Sequence, residues 1–474
     1  FRPREFIFSV GAYLCEQPEH GELGNIVGGQ KTGPLASKML AKYNTSTNYI
    51  ESPLGGYGLY YRTVMAELGI LHPGGRGLPY LVDVPTDPLG KEIAEAFRQE
   101  VQYTEYYKTY FHKDNVDVPL EVIQEYIHKA CLCQLQTEHA IDREFLRDVF
   151  RGGGPKKAAQ FRTLSMRLFL DIADQTNRLA LDEEVFRQII YFGESSLGHS
   201  YFPKPDLELI YKQWRLYQAR EYYSFALNLW WDHFCTWGLQ NDGDRKPVEI
   251  DQFWSYLEKS IDFDYLSKLL NTKNSGIMSD TRLSTFLDWV SQYLGKGKDL
   301  LYSYFIIDSQ LSEDNLHELG LSNRFDGKVA ISGMLTMLAV IFLRFGNMDL
   351  WQQPEWEISK MGADGRLSID GYVRKTRRMV EEGKTIFEFT KWIYENYVIQ
   401  QHIIVATRKL PDNTFRFRRE GNRFRFFSHE NSLNYMNSRF DSVATTVFEL
   451  GYCGDLHLPD HRLTEDGKNL LAGG

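Results

Sequence analysis

The stretch DLELIYKQWRLYQAREYYSFALNLWWDHFCTW, residues 206–237, constrains the fold more than any other part of the chain. Its apolar residues recur almost all round a helical axis, which predicts one or two long helices buried on several sides. Such a helix needs neighbours, and the sequence supplies them. PLEVIQEYIHKACLCQL places Pro119 in a first turn and repeats Ile123, Tyr126, Ile127 and Ala130 at helical spacing. DREFLRDVFRGGG stops a helix on Gly152 to Gly154, and DNLHELG (314–320) closes another on a glycine, with DGDRKP (242–247) a loop between helices. The most apolar run, Val329 to Leu343, falls short of the roughly 20 residues that span a bilayer and is bracketed by Lys328 and Arg344. It reads as a buried core helix, and no membrane partner is expected.

At 474 residues the chain is long enough for more than one domain. Aromatic residues reach 14%, so rings must fill cores, interfaces or stacking sites. The five cysteines, Cys15, Cys131, Cys133, Cys235 and Cys453, are odd in number and irregular in spacing. That argues against a disulfide framework and for a reducing, cytoplasmic compartment. The opening FRPREFIFSVG lacks the apolar segment and cleavage site of a signal peptide.

The two ends share a design. Glu67-Leu68-Gly69 and Glu449-Leu450-Gly451 each close an amphipathic helix, followed by an apolar residue, a loop, a short extended piece and a helix start containing Gly-Lys. The glycine permits a left-handed exit from the helix, and Thr86 and Thr464 are good N-caps. A helix, a strand, a turn, a strand and a capped helix resemble the C-terminal half of winged-helix domains in bacterial proteins. The resemblance covers some 35 to 40 residues at each end. The expected fold is therefore mainly α and multi-domain. A winged-helix-like domain at 1–110 and a second at 366–474, with a basic β-hairpin, flank a helical domain at 111–365. Winged-helix ends on a long helical body resemble accessory subunits of bacterial anti-phage defence or DNA-processing operons.

The hairpin is TFRFRREGNRFRFF, residues 414–427. Strand alternation puts Phe415, Phe417, Phe424 and Phe426 on one face and Arg416, Arg418, Arg423 and Arg425 on the other, with Gly421 in the turn. Upstream, YVRKTRRM supplies Arg374, Lys375, Arg377 and Arg378, the three arginines lying on one side of a helix. Residues 370–426 hold thirteen Lys and Arg against seven Asp and Glu, a net +6 in a chain of net charge -9. Guanidinium forks in such an array suit phosphates. The expected contacts are these eight residues with Arg62 and Lys31, and the expected partner is nucleic acid, duplex DNA in particular, with other protein subunits of a complex.

The remaining constellations carry less. GNIVGGQKTGP (24–34) departs from a phosphate loop because Gln30 separates Gly29 from Lys31, and it reads as a glycine-rich lead into the helix PLASKMLAKY, with Lys31 and Lys38 in reach of phosphate. His128, Cys131, Cys133 and His139 have ligand chemistry but not ligand spacing, since Cys131 and Cys133 on one helix diverge by about 200°. TEDG, DREFLRD and LSEDN lack the carboxylate pattern of metal-dependent nucleases, and GGYGLYYR (55–62) reads as a tight turn. The reading thus has no catalytic residue, no metal and no cofactor. It expects a non-enzymatic nucleic-acid-binding subunit, the alternative being a helical scaffold whose basic hairpin docks an acidic protein.

Overall fold

The computed structural model describes residues 1–16, 29–136, 140–176, 179–241, 246–273, 276–294, 307, 310–346, 367–410, 412, 414–427 and 438–473. The fold is mainly helical. Up to residue 181 the helices are α1 (Arg2–Tyr13), α2 (Gly29–Ala36), α3 (Arg62–Glu67), α4 (Leu89–Val101), α5 (Leu120–Ala130), α6 (Ile141–Gly152) and α7 (Lys156–Gln175). Then come α8 (Glu183–Phe192), α9 (Glu208–Asn241), α10 (Ile250–Ser260), α11 (Phe263–Leu269), α12 (Leu283–Tyr293), α13 (Glu313–Ser322), α14 (Met334–Phe345), α15 (Ile369–Glu381), α16 (Ile386–Ile393) and α17 (Gln400–Arg408). Helices α18 (Phe440–Glu449) and α19 (Glu465–Ala472) follow. The strands are short: β1 (Lys42–Asn44) pairs with β4 (Asp117–Pro119), β2 (Leu71–His72) with β3 (Val84–Pro85), and β5 (Val248–Glu249), β7 (Arg423–Phe426) and β6 (Phe417–Glu420) form one antiparallel sheet in that order. Among the described residues no helix is long and apolar enough to cross a membrane.

Contacts divide the chain into two units, residues 1–181 with 441–474, and residues 182–440. The ranges drawn from sequence were 1–110, 111–365 and 366–474; the basic hairpin falls in the second unit and most of α18, with α19, in the first.

In the first unit the two Glu-Leu-Gly turns are built alike. Gly69 has φ +74° and Gly451 φ +70°. The amide of Ile70 donates back to the Met65 carbonyl and that of Tyr452 to the Val447 carbonyl, both at 2.9 Å. Thr86 N donates to the Ile70 carbonyl and Thr464 N to the Tyr452 carbonyl, closing a β2–β3 pair in one copy and a Cys453–Leu463 bridge in the other. The hydroxyl of Thr86 donates to Gly69 O at 2.7 Å and that of Thr464 to Gly451 O at 2.8 Å. The following helix then crosses so tightly that only glycine fits. A Cβ on Gly90 would stand 2.1 Å from the Ile70 carbonyl oxygen, and one on Gly467 1.9 Å from that of Tyr452. The N-cap expectation holds for Thr464, which accepts from Gly467 N. Thr86 performs the same service from two residues further back, because the extra residue of Asp87-Pro88 puts Pro88 at the cap of α4 and leaves Thr86 Oγ1 to accept from Gly90 N.

Helix α6 serves both turns. Its Arg147, buried and lying over the Tyr452 ring, donates from Nε to Leu450 O at 2.8 Å and pairs with Asp466 at 2.8 Å. At its other end a Cβ on Gly153 or Gly154 would strike the carbonyls of Leu68 or Glu67. The triple glycine thus ends α6, as expected, and also seats the Leu68 turn.

The second unit is organised by α9, one unbroken helix buried along most of its length. Trp230 stacks on Tyr394 with centroids 4.7 Å apart and donates to the Ala330 carbonyl. The Val329–Leu343 run is a buried core helix, a π turn leading into α14. Two ion pairs lie in this interior, Arg344 with Glu313 at 2.6 Å and Arg187 with Asp314 at 2.8 Å. The Tyr191 hydroxyl donates to Glu313 and that of Tyr222 to Asp314, and burial first, then these carboxylates, push both phenols above their ordinary range. Both acids occupy the first turn of α13, where the helix dipole favours them.

Two local expectations are corrected. Gly320 does not close α13, which runs on to Ser322; the glycine sits inside the helix, where a Cβ would come 2.9 Å from the end of Met334 and 3.1 Å from Leu229. Helix α2 begins before Pro34 and ends at Ala36, so it covers only the first three residues of the stretch expected to be helical, whose end enters β1.

Candidate nucleic-acid interface

The basic hairpin forms as a strand pair with Phe417 opposite Phe426, Arg418 opposite Arg425 and Glu420 opposite Arg423. Strand β7 alternates cleanly: Phe424 and Phe426 are buried, while Arg423 and Arg425 lie on the outer side. Phe417, Phe424 and Phe426 surround Phe234 of α9 with centroids 4.9, 5.5 and 5.1 Å away. Phe415 precedes β6 and is only half-buried. Strand β5 completes the sheet through Val248 opposite Phe424 and Glu249 opposite Arg423.

The arginine face is partly neutralised by the protein itself. Arg423 pairs with Glu249, and Arg425 grips Glu420 at 2.7 and 3.1 Å, holding that carboxyl below its ordinary range. Arg418 lies over the rings of Phe415 and Phe427, at 4.7 and 5.6 Å. Arg419 donates to the Gly421 carbonyl, and the Arg416 amide donates to His402 Nε2 at 3.0 Å.

A second basic surface lies on α15. Arg374 and Arg378 are exposed, each paired along the helix, with Asp370 at 2.9 Å and Glu382 at 2.8 Å. Lys375 sits 5.1 Å over the indole of Trp392 on α16. Arg377 is turned inward and donates to the Gly346 carbonyl. Arg374, Lys375 and Arg378 line an open groove of about 400 Å³ with Trp392, Asn396 and Tyr397. A π turn over Tyr394–Ile399 continues α16 into α17, so one helical rod carries Trp392 at the groove and His402 at the hairpin. Ten residues separate them, roughly 15 Å along the axis.

Arg62 and Lys31 belong to the first unit. Arg62 holds Asp83 with two bonds of 2.8 Å and donates to the Gly74 carbonyl. Tyr57 donates to the same carboxylate, and together these bonds hold Asp83 far below the ordinary carboxylate range. Arg62 therefore ties the loop between β2 and β3 to the start of α3, and Tyr57 ties it to the segment before that helix. Lys31 is exposed on α2. Residues 24–28 of the glycine-rich loop, residues 242–245 of the DGDRKP loop, and His139 lie outside the described residues.

Sequence reasoning missed Glu249, which stands 174 positions from Arg423, and Trp392 as the ring under Lys375. It also missed Cys15. The thiols of Cys15, Cys131 and Cys133 converge, all within 4.8 Å of one another. The divergence expected of Cys131 and Cys133 assumed one continuous helix, but α5 ends at Ala130 and Cys131 is extended. Compared with known proteins, the chain matches no family model, no curated protein and no solved structure.

Proposed function

We propose that this chain is a non-enzymatic nucleic-acid-binding subunit of a multi-protein complex, directed at duplex DNA, with winged-helix-like modules formed from its two ends. The observation that carries the reading is the groove on α15. Three exposed or half-exposed cations stand beside an indole face, in a region of net +6 within an acidic chain. Cations give backbone attraction, and the indole gives an apolar surface for a sugar or base edge. The hairpin extends this basic character from the far end of the same helical rod.

A second reading rests on the pairing of Arg423 with Glu249 and of Arg425 with Glu420. Arginines that already hold carboxylates suit exchange onto an acidic protein, which makes the chain a helical scaffold with the hairpin as its docking edge.

Fluorescence anisotropy with duplex and single-stranded DNA across a salt series tests the first reading. Reversing Arg374, Lys375 and Arg378 to Glu is expected to weaken binding. The slope of log affinity against log salt should also flatten, by about 0.9 for each duplex phosphate that is no longer neutralised. Unchanged affinity for both strands would remove this reading. Release of a co-purifying acidic protein by reversal of Arg416, Arg418, Arg423 and Arg425, with DNA affinity intact, selects the scaffold.

A further inference from the structure

We propose that Cys15, Cys131 and Cys133 form a three-thiolate site for one divalent d10 metal ion of the zinc class. Cys15 lies two residues beyond α1, and Cys131 and Cys133 lie just beyond the end of α5. The two helices approach closely enough that a Cβ on Gly11 of α1 would stand 3.0 Å from the Cβ of Ile127 on α5. That crossing fixes where Cys15 meets the end of α5. Cys131 caps α5 in an extended conformation (φ -64°, ψ 141°), and the 3-10 turn Leu132–Gln136 brings Cys133 back towards it.

The distances suit a shared ion. A zinc–sulfur bond of about 2.3 Å implies sulfurs about 3.8 Å apart in a tetrahedron and about 4.0 Å apart in a trigonal plane. Cys15 Sγ and Cys133 Sγ are 3.8 Å apart, and no pair in the cluster exceeds 4.8 Å. All five cysteines are thiols, and this is the one group of three or more candidate metal-ligating side chains among the described residues. Cys15 and Cys133, 118 positions apart in sequence, are brought within thiol contact by the packing of α1 on α5.

The site has an approach. Cys15 is half-exposed, and a cavity of about 300 Å³ lined by Cys131, Gln134, Glu100 and Asp142 reaches the cluster. Three thiols binding a divalent ion release three protons to solvent and leave a complex of net charge -1. Thiolate ligands favour zinc and its heavier congeners over magnesium or calcium. Three protein ligands leave the fourth tetrahedral position to an exchangeable ligand.

The test uses the full chain, reduced and stripped with chelator, titrated with Cd²⁺ while sulfur-to-metal charge-transfer absorption is followed, with Zn²⁺ as competitor. One equivalent is expected to saturate the band, with proton release to the buffer and a rise in melting temperature. Cys15→Ala, on a half-exposed residue, is expected to weaken binding by about tenfold or more and to abolish the thermal shift, with far-UV circular dichroism unchanged. Cys131→Ala and Cys133→Ala are expected to do the same, whereas Cys235→Ala and Cys453→Ala leave the titration intact. Absence of the band in the parent chain, or a full band in Cys15→Ala, would overturn the proposal.

Discussion

The ring of Phe426 occupies the space beside Gly238 of α9: a Cβ on that glycine would lie 2.3 Å from three of the ring carbons. The hairpin is therefore seated on a helix that was left bare at one position to receive it. Gly238→Ala gains helix propensity but displaces a buried ring, and a net loss of about 1–3 kcal/mol is expected from urea denaturation. The same variant should make the hairpin amides exchange faster with deuterium than those of α15.

The Glu313–Arg344 pair is fully buried. Glu313→Gln removes the carboxylate that Arg344 holds in the core and is expected to cost about 3–5 kcal/mol. Replacing both partners with Leu and Met should restore most of that. Denaturation of Glu313→Leu, Arg344→Met and the double variant closes the cycle; independent, additive losses would contradict it.

The close crossings at Gly90 and Gly467 predict matched effects at the two ends. Gly90→Ala and Gly467→Ala are each expected to lose about 3 kcal/mol despite the better helix former, because the obstacle is a backbone carbonyl. Thr464→Ala, which removes the cap and the hydroxyl's bond to the Gly451 carbonyl, should lose about 1–2 kcal/mol. Differential scanning calorimetry that shows the glycine variants as stable as the parent would refute the crossing.

Burial raises the Glu449 carboxyl to about 7 from an ordinary value of 4.5. Between those values the folded chain holds a proton that the unfolded chain releases, so stability is greatest below the lower value and declines as pH rises through the upper one. The expected decline is about 2–3 kcal/mol between pH 4.5 and pH 8. Glu449→Gln should flatten this part of the stability profile and leave the variant the more stable at pH 8.

The parts of this fold legible in sequence are those set by local periodicity. Alternation placed Phe417, Phe424 and Phe426 inward, and the 3.6-residue repeat picked out Ile123, Tyr126, Ile127 and Ala130, all of them buried. Glu-Leu-Gly shows where local signals stop. At Gly69 and Gly451 the glycine turns left-handed and ends a helix, while Gly320 stays helical because Met334, Leu229 and Phe225 press on it. The same three residues make both, and the packing partner decides. Arg423 and Glu249, or Cys15 and Cys133, meet only through tertiary structure, so nothing near either residue announces the other. Arg62 looked available for a ligand for the same reason: Asp83 lies 21 positions away.

The chain order of the two units has a consequence for synthesis. Residues 182–440 are complete in sequence before α19 exists, whereas the first unit lacks Leu450, Tyr452 and Asp466, the partners of Arg147, until the last segment emerges. The middle unit is thus free to finish folding while its host is still waiting. A chain truncated after residue 440 should keep a protease-resistant core from 182 onward and leave α6 open to cleavage.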